Sequence, residues 1–87
     1  MSLFIGGRFR LREKIGNGSF GEIHKGDDVK TSLPVAIKIE KSDCQVPQLE
    51  NESKTYIALS GGVNIPRHYY FGTEPTYKAM IIDLEST

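Results

Sequence analysis

The sequence predicts an α+β fold, a single small domain with a five-stranded antiparallel sheet and one main helix. Three observations predict it. Phe9, Leu11, Glu13 and Ile15 alternate with Arg10, Arg12 and Lys14, the period of a half-buried strand. The stretch after Pro47 carries apolar residues at helical spacing and stops at Gly61-Gly62. Glycine, proline and short polar clusters cut the rest into strand-length runs. With 87 residues there is room for one domain, and a core of that size is marginal.

The elements follow in order. Residues 1–5 read as a tag remnant or a disordered start, and residues 6–87 as the folded unit. Gly6-Gly7 is a loop. The first strand covers Phe9 to Ile15, apolar on one face and basic on the other, and the basic face reads as solvated surface. It runs into three glycines, Gly16, Gly18 and Gly21, and a second strand leaves through Ile23. Asp27 to Pro34 is a polar connection. Pro34 lacks an amide donor and suits the start of a strand. Val35 to Glu40 is the third strand, β-branched at Val35, Ile37 and Ile39, with Ala36 and Lys38 sharing the other face. Lys41 to Val46 is a loop. Pro47 opens the helix. Arg67 to Phe71 is a fourth strand, Gly72 to Thr76 a hairpin loop, and Tyr77 to Leu84 a fifth strand.

On the helix, Leu49, Glu52, Ser53, Tyr56, Leu59 and Ser60 fall on one face, and Glu50, Asn51, Lys54, Thr55 and Ala58 on the other. Glu52 is the informative residue, a carboxylate within an inward stripe. Either it meets a cation there, for which Lys38 is the candidate, or it sits at the stripe's edge and reaches water.

Composition excludes some functions. Eleven basic and eleven acidic side chains cancel, so nothing argues for a nucleic-acid surface. No apolar run is long enough to cross a membrane, and no secretory signal is visible. Cys44 is the single cysteine, so no internal disulfide forms, and an intracellular home, cytoplasm or nucleus, is expected. Cys44 reads as an unpaired loop thiol. His24 and His68 have no partners at metal-ligand spacing and read as surface or packing residues; no metal ligands are expected.

The chemistry concentrates between Ile15 and Lys38. The spacing G-x-G-x-x-G in Gly16 to Gly21 lets a backbone approach a bulky anion, because no Cβ intervenes. A dinucleotide-binding turn needs a helix directly after the glycines, and Glu22 to Asp28 carry no helical stripe. A glycine hairpin over phosphates, with a lysine on the next strand, is instead the pattern of a protein-kinase nucleotide site.

The whole order resembles the small N-terminal lobe of a protein kinase. The resemblance is closer still to the casein kinase I family of serine/threonine kinases. It is carried by Lys14-Ile15-Gly16-Asn17-Gly18-Ser19-Phe20-Gly21-Glu22-Ile23, Val35-Ala36-Ile37-Lys38, Pro47-Gln48-Leu49, Glu52-Ser53-Lys54-Thr55-Tyr56 and Gly61-Gly62-Val63-Asn64-Ile65-Pro66. It spans residues 6 to about 84. The glycine loop and Val-Ala-Ile-Lys are general to kinases; the Pro-Gln-Leu and Gly-Gly-Val-x-Ile-Pro segments are specific to that family.

The resemblance implies roles for individual residues. Ile15, Ile23 and Ala36 would enclose adenine. Gly16 and Gly18 belong to the glycine loop, and the amides around Ser19, Phe20 and Gly21 would cover the phosphates. Lys38 would hold the α- and β-phosphates and pair with Glu52. Ile82 would be the gatekeeper, and Asp83, Leu84 and Glu85 would begin the hinge. The implied cofactor is ATP with magnesium, and the implied partners of the intact enzyme are protein substrates. The family's hinge reads Glu-Leu-Leu-Gly-Pro, whereas here it reads Asp83-Leu84-Glu85-Ser86-Thr87. Neither a His-Arg-Asp catalytic loop nor an Asp-Phe-Gly magnesium motif occurs in the 87 residues. The chain alone is therefore expected to be inactive and to bind ATP weakly or not at all, with its large lobe missing. A free-standing, non-catalytic lobe that binds a protein partner is the alternative. A bared apolar face of Ile15, Ile23, Tyr56, Ile82 and Leu84 is expected to promote a homodimer.

Overall fold

The computed structural model describes residues 3–18 and 21–84. Among these the chain forms six strands and one helix. They are β1 (Phe4–Ile5), β2 (Phe9–Asn17), β3 (Glu22–Asp28), β4 (Pro34–Lys41), α1 (Leu49–Ala58), β5 (His68–Thr73) and β6 (Tyr77–Asp83). The strands make one curled antiparallel sheet in the order β1-β2-β3-β4-β6-β5. The α+β class agrees with the sequence reading, and the strand count does not.

The extra strand is β1. Phe4 pairs with Arg10 and Ile5 with Phe9, and Ile5 is 2% exposed in the core. Reading residues 1–5 as a remnant or disordered start is therefore corrected for Phe4 and Ile5, which belong to the fold. A two-residue strand is too short for its period to register in sequence. Ile5→Ala is expected to cost about 2 kcal/mol or more, seen as a lower urea midpoint at unchanged slope; an unchanged midpoint would place Ile5 outside the core.

Alternation along β4 and β6 divides the interior between the two faces of the sheet. Val35, Ile37, Ala79 and Ile81 point one way and pack with Ile5 and Phe9 under Leu11, Ile39, Tyr69, Tyr70 and Tyr77. Ala36, Met80 and Ile82 point the other way and pack with Leu49 of α1, against Tyr56, Phe71 and Leu84. Burial on both faces explains why Ala79 to Ile82 is uninterruptedly apolar.

Several boundaries differ from the sequence reading for local reasons. β2 is irregular between Leu11 and Lys14 and again between Lys14 and Gly16. The Phe9 alternation is thus broken, and Ile15 ends 51% exposed. β3 runs on to Asp28, because Asp27 and Asp28 lie opposite Arg10 and Phe9 and bind arginines. Arg10 donates to Asp27 at 2.7 Å, Arg12 to the same carboxylate at 3.4 Å, and Arg8 to Asp28. The basic face of β2 is therefore paired as well as solvated. Gly72 lies inside β5 opposite Ala79, where the Tyr70 ring covers it and a Cβ would come within 2.3 Å of the Tyr70 hydroxyl. The helix starts at Leu49, two residues after Pro47, with Gln48 as N-cap. It ends at Ala58, leaving Leu59 and Ser60 exposed beyond the inward stripe.

Candidate functional site

Lys38 and Glu52 face each other. Lys38 lies on β4 in the same direction as Ala36, and Glu52 lies one turn into α1 between buried Leu49 and Ser53. The Lys38 ammonium donates to Glu52 Oε1, and both side chains are partly buried. Of the two readings of Glu52, the inward one holds. The Tyr56 ring lies below the ammonium, its centroid 5.9 Å from Nζ. A partly buried pair beside an aromatic face is screened less than a surface pair.

The pair opens on a cavity of about 170 Å³ beneath the glycine hairpin, lined by Gly18, Gly21, Glu22, Lys38, Glu40 and Glu52 together with Ile23, Ile39 and Leu49. The hairpin is closed by the Gly18 amide donating to the Gly21 carbonyl at 2.7 Å. The glycines are not equivalent. A Cβ on Gly21 would lie 2.0 Å from the Ile39 carbonyl oxygen, so the close approach to β4 requires glycine there. A Cβ on Gly16 would meet nothing within 4 Å, and one on Gly18 only the Gly21 carbonyl at 3.7 Å. No neighbour within the described chain demands glycine at those two positions. Glu22, on the rim, is held below the usual carboxylate range by its hydrogen bond with His24 and by the nearby Lys14 ammonium.

A second, open cleft of about 370 Å³ lies beside the first and shares Ile23 with it. Ile15, Ile23, Ala36 and Ile82 line it, with Tyr56, Pro66, Asp83 and Leu84. Ile82 stands opposite Ala36 across the β4–β6 ladder. It is only 5% exposed, which corrects its inclusion in a bared apolar face; Ile15, Ile23, Tyr56 and Leu84 supply what exposure there is. Asp83 is tied down. Its carboxylate accepts from the Arg67 amide at 2.8 Å and from the Tyr69 hydroxyl, and its own amide donates to the Arg67 carbonyl at 3.0 Å.

The structure thus gathers Ile15, Ile23, Ala36, Ile82, Asp83 and Leu84 at the cleft, and Gly18, Gly21, Lys38 and Glu52 at the cavity. Gly16 sits opposite Ile23 in the hairpin. Ser19, Phe20 and Glu85 lie outside the described residues. Sequence reasoning assigned no site role to Glu22, Ile39, Glu40, Leu49, Tyr56 or Pro66. Tyr56 was within reach, one turn after Glu52 on the same stripe. For Glu40 the alternation gives only the strand face, two positions after Lys38; its partners on the helix carry no sequence signal.

No protein-family model matches this chain. Among the described residues no group of three or more His, Cys, Asp or Glu side chains could hold a metal ion, so none is assigned as a metal ligand. Among the same residues no helix is long and apolar enough to cross a membrane. Cys44 is an unpaired thiol whose sulfur points to the Val46 carbonyl at 3.5 Å. His68 accepts or donates at Ser53 Oγ, 2.6 Å away, and burial pushes its pKa down, which suits a packing role.

Proposed function

We propose that this chain is the ATP-binding lobe of a casein-kinase-I-like serine/threonine protein kinase, the intact enzyme transferring the γ-phosphate of ATP to protein serine or threonine. The observation that carries this reading is the Lys38–Glu52 pair facing a cavity beneath the glycine hairpin, a hairpin in which a Cβ on Gly18 would make only an ordinary contact and one on Gly16 would meet open space. Such space admits phosphate oxygens to backbone amides. Lys38, oriented by Glu52, adds the positive charge that positions them. ATP supplies the transferable phosphoryl group, and accompanying magnesium offsets its charge.

The neighbouring cleft suits a flat apolar base. Ile15 and Ile23 cover it, the small Ala36 leaves room, and Ile82 closes the far wall. Since the Asp83 amide and carboxylate are already bonded, the base edge falls to the remaining backbone groups of Asp83 and Leu84.

Titration with ATP and magnesium, followed by backbone amide resonances, tests the reading. Weak but saturable shifts are expected at Gly16, Gly18, Ile23, Lys38 and Ile82 to Leu84. Lys38→Ala is expected to weaken binding about tenfold or more, the scale of a lost charge-assisted hydrogen bond. No label transfer to casein is expected from the 87-residue chain. Shifts unaffected by Lys38→Ala, or confined to residues outside the cavity and the cleft, would overturn the assignment.

A second reading, a non-catalytic lobe that binds a protein partner, is favoured by one observation. Ile15 is half exposed above a cleft that also offers Ile23, Tyr56 and Leu84, and a homodimer through this face belongs to the same reading. It gains if nucleotide leaves the spectrum unchanged while Ile15→Asp alters the mass seen by light scattering.

A further inference from the structure

We infer that Glu40 is a positioning residue that holds the Lys38–Glu52 pair together by anchoring the first turn of α1 to β4. Its significance for ATP rests on the function proposed above; the anchoring itself does not.

The geometry is a closed circuit. Ala36, Lys38 and Glu40 alternate onto the helix-facing side of β4. Glu40 Oε2 accepts from the amides of Gln48 at 2.8 Å and Leu49 at 3.0 Å. The Gln48 carbonyl accepts from the Glu52 amide at 2.9 Å. The Glu52 carboxylate accepts from Lys38, two residues before Glu40. Strand and helix are therefore linked twice, by side chains of opposite charge from adjacent positions on one strand face.

Nothing on the helix itself does this work. Gln48, the N-cap, makes no side-chain capping bond. The first amides of a helix need acceptors, and an anion there also meets the positive end of the helix dipole. Here the acceptor comes from eight positions earlier in the chain. Glu40 is 1% exposed and its Oε1 has no hydrogen bond within the described protein. Burying a carboxylate so incompletely bonded is costly, and the two amides it receives are the compensation seen. Leucine or valine would pack the same space without that cost, but would free the helix start.

The test uses the 87-residue chain, isotope-labelled, as wild type, Glu40→Ala, Glu40→Gln and Glu52→Gln, with Glu50→Ala as an exposed acidic control in the same helical turn. Hydrogen exchange at Gln48 and Leu49 is expected to speed up about tenfold or more in Glu40→Ala. The Lys38 ammonium nitrogen resonance is expected to move to the position that Glu52→Gln gives it. Sheet amides of Ile37 and Ile81 should keep their protection. Glu40→Gln, whose amide oxygen still accepts, should restore both signals toward wild type, and Glu50→Ala should leave them unchanged.

A Lys38 resonance that stays at its wild-type position in folded Glu40→Ala overturns the proposal, as does a Gln variant that behaves like Ala. If Glu40→Ala does not fold, Glu40→Asp, one methylene too short to reach both amides, is read in the same way. Loss of the whole sheet in both would mark Glu40 as a general stability residue and also overturn the proposal. These signals are read without nucleotide, so they stand apart from the ATP titration. If the ATP reading holds as well, Glu40→Ala weakens ATP binding by as much as Glu52→Gln does.

Discussion

Gly26→Ala is expected to destabilise the chain by about 3 kcal/mol, the upper part of the range for overpacking a filled core. Gly26 lies buried in the middle of β3, between Leu11 of β2 and Val35 of β4. A Cβ there would stand 2.4 Å from Ile37 Cδ1 and 2.7 Å from the Arg10 carbonyl oxygen. The first atom ends a side chain and can turn aside. The second belongs to a paired strand and cannot move without opening the β2–β3 ladder. A domain of this size has a total stability of about 4–13 kcal/mol, so the loss is a large fraction of it. At about 4–8 °C per kcal/mol for small domains, the thermal midpoint falls by about 12–24 °C. A double-mutant cycle checks the cause. Ile37→Val deletes Cδ1 and costs about 0.5–1.5 kcal/mol alone. Combined with Gly26→Ala it should recover part of the loss, leaving the portion due to the Arg10 carbonyl. Strict additivity of the two losses would show that the Ile37 contact is not the source.

Gly26 also shows where sequence reasoning stops. As a residue it reads as a turn signal beside Asp27, and only its neighbours across two ladders reveal a packing requirement. The alternation of Val35, Ile37 and Ile39 with Ala36 and Lys38 was legible, because both faces of β4 obey a period of two over a full strand. The inward stripe of Leu49, Glu52, Ser53 and Tyr56 was legible for the same reason at helical period. From those two patterns alone Lys38 and Glu52 become candidates for one site, although their pairing stayed open until the helix register against β4 was known. What failed was either short or distant. β1 has two residues. The irregularities of β2 interrupt an alternation that looks unbroken from Phe9 to Ile15. Glu40 acts through amides at Gln48 and Leu49, and no periodicity links a strand's last turn of alternation to the start of the next helix. Local pattern predicts which face a side chain takes; it does not predict what another element will place there.

The acidic end of β3 gives the second expected result, a stability that depends on pH through Asp28. Asp28 is 1% exposed and its carboxylate is fully engaged. Arg8 donates to both oxygens, from Nε at 2.8 Å and Nη2 at 2.6 Å, and the Lys30 amide donates to Oδ1 at 2.9 Å. The Arg8 guanidinium also lies 4.9 Å from the centre of the Phe9 ring, so the pair closes the core beside β1. The hydrogen bond from Arg8 holds the Asp28 carboxyl well below the usual carboxylate range; burial opposes this, and the Lys30 amide adds to it. A carboxylate in an unfolded chain titrates near pH 3.9. Because the folded value lies lower, the unfolded state takes up the proton first. The contribution of Asp28 is therefore fully present above about pH 4–5 and is lost progressively as the pH falls through the folded value. Asp27 shifts in the same direction through its hydrogen bond from Arg10, and it contributes over the same range. Asp28→Asn keeps an acceptor for Arg8 and the shape of the side chain, but removes the charge. The gap between the urea midpoints of wild type and Asp28→Asn should be largest at pH 7 and should narrow, without closing, as the pH falls to 3. A gap that stays constant from pH 7 to pH 3 would mean that Asp28 acts by shape and hydrogen bonding alone, with no electrostatic share in holding β3 to the first turn of the sheet.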